Sequence, residues 1–121
     1  MLEILPVEDK VLQESICLRC GINFNRELWA YAAYRDGVPV GICQFTVKDD
    51  EGILFDLATN DTLCQRNVLF PLGIAVLNFL DICGVFTAKC ECLYADSTLL
   101  SSLGFSQTNE EKYEARLCSD R

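Results

Sequence analysis

The sequence predicts an α/β (α+β) fold, a mixed, mostly antiparallel sheet flanked by helices in the order β, α, β, β, β, α, β, α, β. Three observations predict it. Successive strand-like runs between Leu28 and Ala58 are separated by short turn sequences and read as a meander. Apolar residues then recur at helical spacing up to Cys83, and another β-branched run follows from Val85. A strand, helix and strand in that order form a crossover, which makes the strands at Ile53 and Val85 parallel.

Each element has its own signal. Leu2 to Val7 reads as an opening strand, and Glu8 or Asp9 can cap a helix running towards Cys20, with Gly21 as its stop. Leu28–Tyr34 and Val38–Val47 flank Asp36-Gly37, a hairpin signal because glycine accepts the positive φ of the turn. The polar turn Lys48–Gly52 leads into a third strand, Ile53–Ala58. Thr59–Asn67 reads as a polar connection, and Pro71 fits the first turn of a helix spanning Pro71–Cys83, with Gly84 at its end. Val85–Cys92 reads as a strand, Asp96 as the cap of a short helix ending at Leu103-Gly104, and Lys112–Leu117 as the last strand.

The composition narrows the function classes. A chain of 121 residues supports one core, so residues 1–121 read as a single domain. Eighteen acidic against ten basic residues give a formal net charge of −8, which opposes binding to nucleic acid. Val68–Leu80, the longest apolar stretch, is shorter than a membrane span and is broken by Pro71, Gly73 and Asn78. The acidic N-terminus does not read as a secretory signal, so the expected location is cytoplasmic.

Eight cysteines raise the question of metal or disulfides. Most of them, Cys43, Cys83, Cys90 and Cys92 among them, sit in apolar periodic segments, where a free thiol behaves as a small hydrophobe. The nearest approach to a zinc pattern pairs Cys17 and Cys20 with Cys90 and Cys92. The one-residue spacer of the second pair and the lack of any histidine argue against it, so no metal is expected.

The stretch Ala33-Tyr-Arg-Asp-Gly-Val-Pro-Val-Gly-Ile42 resembles the first hairpin of the GNAT superfamily of N-acyltransferases. Leu99-Leu-Ser-Ser-Leu-Gly-Phe105 resembles the late helix of that family, which tends to finish in Leu-Gly-Phe. The resemblance implies an N-acetyltransferase that uses acetyl-CoA or another acyl-CoA and transfers the acyl group to a small-molecule or peptide amine. Its central motif is Gln or Arg, two residues, Gly, one residue, Gly or Ala, and its N–H groups bind the coenzyme A pyrophosphate at a helix start. On this chain it would fall on Val68-Leu-Phe-Pro-Leu-Gly73, so the resemblance assigns cofactor contacts to Leu72 and Gly73, with Arg66 close by. Pro71 stands where the first glycine would be, and Val68 replaces the polar leader. The tyrosine acid of the family corresponds to Leu100, and Tyr94 is the nearest phenol.

Ligands on such a sheet favour the carboxyl ends of strands, here between Ala58 and Gly73. Asp56, an acid inside the apolar strand Ile53–Ala58, is the candidate catalytic base; the alternative is a capping or pairing role at the sheet surface. Leu57 and Ala58 offer backbone groups either to an acyl-pantetheine arm or to ordinary sheet pairing. Arg66 reads as a phosphate contact or as a solvated arginine, and Cys64 beside it has no visible activating base. Trp29 and Tyr31 share one strand face as core or cleft wall. Two further expectations stay open: a homodimer paired through an edge strand, and a noncatalytic binding module that has lost coenzyme A.

Overall fold

The computed structural model describes residues 1–63, 65–91, 97–109 and 112–117. The elements are β1 (Leu2–Val7), α1 (Lys10–Arg19), β2 (Trp29–Arg35), β3 (Val38–Lys48), β4 (Glu51–Thr59), α2 (Gln65–Ile82), β5 (Thr87–Cys90), α3 (Ser97–Ser102), β6 (Ser106–Asn109) and β7 (Lys112–Arg116). Seven strands form one sheet in the order β1-β2-β3-β4-β5-β7-β6. β4 and β5 are parallel and the other neighbours antiparallel, as the crossover requires.

The hairpins follow from turn chemistry. Asp36 and Gly37 both take positive φ, which gives the two-residue turn between β2 and β3. Asp49 and Asp50 do the same between β3 and β4, so the turn is tighter than Lys48–Gly52 and both strands extend into it. Aspartate tolerates the left-handed region because its short carboxylate can bond locally.

Helix ends are equally local. Asp9 caps α1, its Oδ1 accepting from the Val11 and Leu12 amides at 2.8 and 3.4 Å. α1 and α2 each stop in a left-handed glycine, Gly21 and Gly84, with the next amide reaching back to Cys17 and Leu80 carbonyls at 3.0 and 3.1 Å.

Two elements depart from the sequence reading. α2 starts at Gln65, six residues before Pro71, so Pro71 lies inside the helix and part of the expected polar connection is helical. Val68 and Leu69 are buried and extend the apolar stripe of Leu72, Val76 and Leu80, and that burial outweighs the hydrogen bond lost at proline. The second departure is β6, an additional strand of polar sequence paired with β7. The predicted cap Asp96, like Cys64, Cys92 and Tyr94, lies outside the described residues.

A helix covers each face of the sheet. On one, α2 and α3 pack with Cys43, Phe45, Leu54, Leu57 and Cys90. On the other, Ile16 and Cys17 of α1 pack with Val7, Ala30, Ala32 and Ile42. Trp29 and Tyr31 join Phe45 and Phe79 in an aromatic cluster with ring centroids 5.7 to 6.1 Å apart; Tyr31 packs against the core, whereas Trp29 stays exposed at its edge. Among the described residues, no helix is long and apolar enough to cross a membrane.

α2 lies close to the sheet because Gly41 leaves room for it. A Cβ there would stand 2.8 Å from Val68 Cγ1 and 3.2 Å from the Ala58 carbonyl oxygen. Gly41→Ala is therefore expected to cost about 1–3 kcal/mol. Urea unfolding checks this: the midpoint should fall while the slope stays unchanged.

Candidate functional site

The site begins with an irregularity in β4. Gln44 pairs with Asp56 and Phe45 with Leu54, so Phe55 is an extra residue on β4. Strict alternation would send Leu54 and Asp56 to the same face. The bulge instead returns Leu57 to the α2 side with Leu54, and turns Asp56 towards Gln44 on the α1 side.

The bulge lies where the described part of the β4–β5 ladder ends. Among the described residues β4 pairs with β5 only over Glu51–Leu54, with the Glu91 amide donating to the Leu54 carbonyl at 2.8 Å. Residues 56–59 of β4 pair with β3 and, among the described residues, not with β5. Leu57, largely buried, and Ala58 stand on this stretch, so its other edge faces the opening between strands.

On the α1 side of the opening is a cavity of about 680 Å³. Phe55, Asp56 and Glu91 form one wall and the segment from Gly21 to Leu28, which links α1 to β2, forms the other. This volume lies in the range of small-molecule sites, about 300–1,000 Å³.

A buried polar chain runs behind the cavity. Gln44 Nε2 donates to Asp56 Oδ2 at 2.7 Å and to the Asn23 carbonyl at 2.9 Å. Gln44 Oε1 accepts from Gln13 Nε2 at 2.9 Å and from the Asn25 amide at 3.1 Å. Lys10 Nζ donates to Gln13 Oε1 at 3.0 Å and to the Leu28 carbonyl at 2.6 Å. Both glutamines are fully buried. Burial pushes the Asp56 carboxyl above its ordinary pKa, and the hydrogen bond from Gln44 opposes that rise.

The cysteines near this site are held as thiols. Burial first, then the neighbouring Asp56, pushes Cys17 up to about 12, and burial also raises Cys43 and Cys20. Cys17 and Cys90, half of the cysteine set weighed for zinc, lie in cores on opposite faces of the sheet.

The expected phosphate residues are placed differently. Leu72 is fully buried and lies well inside α2, not in its first turn. Gly73 faces α3: a Cβ there would stand 2.7 Å from Leu103 Cδ1, so the missing side chain makes room for a neighbouring leucine. Because α2 starts at Gln65, the N–H groups of its first turn belong to Gln65–Val68, a segment with no glycine. Leu72 and Gly73, expected in a phosphate loop at a helix start, thus lie in the helix interior. Arg66 does stand in this first turn; its Nη2 donates to Ser102 Oγ at 2.7 Å and its guanidinium lies 5.5 Å from the centre of the Phe70 ring. The structure brings Asp56, Leu57 and Ala58 together and leaves Arg66 separate, at the start of α2.

Sequence reasoning missed Gln13, Gln44, Lys10 and Glu91. Gln44 carried a usable signal, a lone amide within the apolar run Val38–Val47. The others depend on tertiary placement.

No family model and no curated protein sequence matches the chain. Solved structures do. The ribosomal-protein-S18-alanine N-acetyltransferase of Escherichia coli is 17% identical, with a TM-score of 0.73 over 97% of this chain and 94% of that one. The IAA acetyltransferase of Bacillus cereus is 10% identical, with a TM-score of 0.76 over 97% of this chain and 100% of that one. A Bacillus subtilis acetyltransferase solved with coenzyme A is 11% identical, with a TM-score of 0.71 over 98% and 100%. The chain therefore has the GNAT fold, nearly from end to end.

The raised pKa of Asp56 makes a stability prediction. A carboxyl that holds its proton more tightly when folded opposes folding once ionised. That cost is absent at pH below the unfolded value and complete above the folded one. Asp56→Asn is thus expected to raise Tm at about pH 7.5, and the gain should vanish at about pH 3. Thermal unfolding at the two pH values checks the sign.

Proposed function

We propose that the chain is an acyl-CoA-dependent N-acyltransferase whose acceptor amine enters the cavity beside Asp56. One observation carries this reading: a half-buried carboxylate with raised proton affinity, aimed by Gln44 and lining a cavity just beyond the described β4–β5 ladder.

Acyl transfer to an amine needs a neutral nucleophile, whereas a small amine arrives protonated at neutral pH. Asp56 is the group that takes the first proton, directly or through one water, and leaves the neutral amine to attack; as the carbon–nitrogen bond forms and the carbon–sulfur bond breaks, the second amine proton goes to the departing thiolate through solvent. The raised proton affinity of Asp56 brings it nearer to the operating pH. Bound acyl-CoA would supply the thioester carbonyl and the thiolate leaving group. The edge of β4 at residues 56–59, which has no β5 partner among the described residues, suits the amide groups of an extended pantetheine arm, which can pair as a strand would. Arg66 and the first turn of α2 supply positive potential for the diphosphate.

A second reading is favoured by that same helix start. Without a glycine in the first turn, and with Arg66 already bonded to Ser102, the diphosphate is held less closely than a glycine cradle would hold it. A net charge of −8 adds repulsion. On this reading the chain is a GNAT-like module that binds without catalysis.

Calorimetric titration with acetyl-CoA and with free coenzyme A, in moderate salt, separates the two. Saturable binding, weakened about two- to fivefold by Arg66→Ala, is expected from the acyltransferase. No binding at millimolar ligand selects the noncatalytic module.

If binding is found, an amine panel should be screened with product detected by chromatography, because the eight cysteines obscure thiol reagents. Asp56→Asn is then expected to lower kcat about 10²–10⁴-fold with acyl-CoA binding retained. An Asp56→Asn enzyme of undiminished kcat would remove the base from this carboxylate.

A further inference from the structure

We infer that Gln44 is a positioning residue that ties the cavity wall Asn23–Leu28 to the Asp56 carboxylate, so that wall and carboxylate are set as one unit. The inference rests on the proposed role of Asp56 only in giving that unit a catalytic purpose.

The side chain of Gln44 is saturated. An amide has two donor hydrogens and an oxygen with two lone pairs. All four are used, by Asn23, Asp56, Gln13 and Asn25, with no exposure to solvent. Turning the amide over would set its NH₂ against the Asn25 N–H and its oxygen against the Asn23 carbonyl and the carboxylate. The orientation is therefore fixed, and with it the Asp56 rotamer. An ordinary buried glutamine needs partners of any kind, whereas this one spends half its bonds on the cavity wall and one on the reactive carboxylate.

The chain continues in a single direction. Lys10 donates to Gln13, Gln13 to Gln44 and Gln44 to Asp56, so an ammonium stands at one end and a carboxylate at the other. Successive bonds aligned in this way polarise one another and favour the ionised form of the last acceptor. Gln13 also donates to the Leu28 carbonyl at 3.3 Å, and Lys10 bonds the same carbonyl, so the chain holds the wall at both of its ends. Other charged or titratable groups about Asp56 are Glu91 on the same wall, Arg26 across the cavity, Cys17 on α1 and Cys43 on β3. Among these groups it is Gln44 that bonds both the wall and the carboxylate.

The test is Gln44→Met, which keeps the length of the side chain and removes its hydrogen bonds. Two readouts are made by NMR on the full chain without any acyl donor: titration of the Asp56 carboxyl and hydrogen exchange of the Asn25 amide. In a variant that keeps its fold, the Asp56 titration should move to higher pH and Asn25 should exchange at least about tenfold faster. An unmoved titration or an unchanged exchange rate in folded Gln44→Met overturns the inference. If Gln44→Met does not fold, Lys10→Met is read instead, since Lys10 is only partly buried and carries the far end of the chain. Asp56 should again titrate at higher pH and the Asn25 amide, bonded to Gln44 Oε1, exchange faster, and failure of either shift overturns the inference. Coupled shifts in a protein that binds no coenzyme A would keep this unit and remove the proposed acyl transfer, so the two can fail separately.

Discussion

The single extra residue at Phe55 is the constraint on which the rest of the structure depends. In an unbroken strand, side chains two apart share a face. Leu54 belongs to the α2 core, so Asp56 would be driven into that core, where an ionised carboxylate without partners costs several kcal/mol. The bulge shifts the parity by one. Leu57 takes the core position and Asp56 meets Gln44 on the other face. The same residue coincides with the end of the described β4–β5 ladder, at a place where a bulged strand bends and twists. Carboxylate, open strand edge and cavity thus share one local cause.

The fold was legible wherever local chemistry decides it. Asp36-Gly37 announces a hairpin, Asp9 a helix start, and Gly21 and Gly84 two helix stops, because each signal acts within a few residues. The start of α2 was not legible, since a proline is read as a first-turn residue, and only the sheet beneath shows that Val68 and Leu69 are already in the helical stripe. β6 was missed because a polar strand at a sheet edge lacks alternation.

The site divides in the same way. Asp56 stood out as an acid within an apolar strand, although nothing in the sequence around it reveals the bulge that gives it a partner. Gln44 and Gln13 are thirty-one residues apart and meet only when α1 lies across β3. The segment Asn23–Leu28 carries no motif; it becomes a cavity wall through backbone groups bonded to two glutamines and a lysine. Residues that act through tertiary bonding leave little periodic trace in sequence.

The two ends of the opening are built on different principles, and that bears on how a donor could be held. At the acid end, Gln13 and Gln44 have fixed partners, and the β4 edge beyond Leu54 has no β5 partner among the described residues. At the helix end, Gly73 is used to admit Leu103 and Arg66 is engaged by Ser102, so the first half of α2 is shaped as a contact with α3. An exposed helix start with one arginine contributes roughly 0.3–1 kcal/mol to anion binding, far less than a close-fitting set of amides. For an acyl-CoA the attachment would then shift from nucleotide to arm. Hydrogen bonds along β4, each worth about 0.5–1.5 kcal/mol net, would carry more of the affinity than the diphosphate. On the acyltransferase reading proposed above, such a protein would discriminate among donors chiefly by the acyl-pantetheine portion, the part that reading sets beside Asp56.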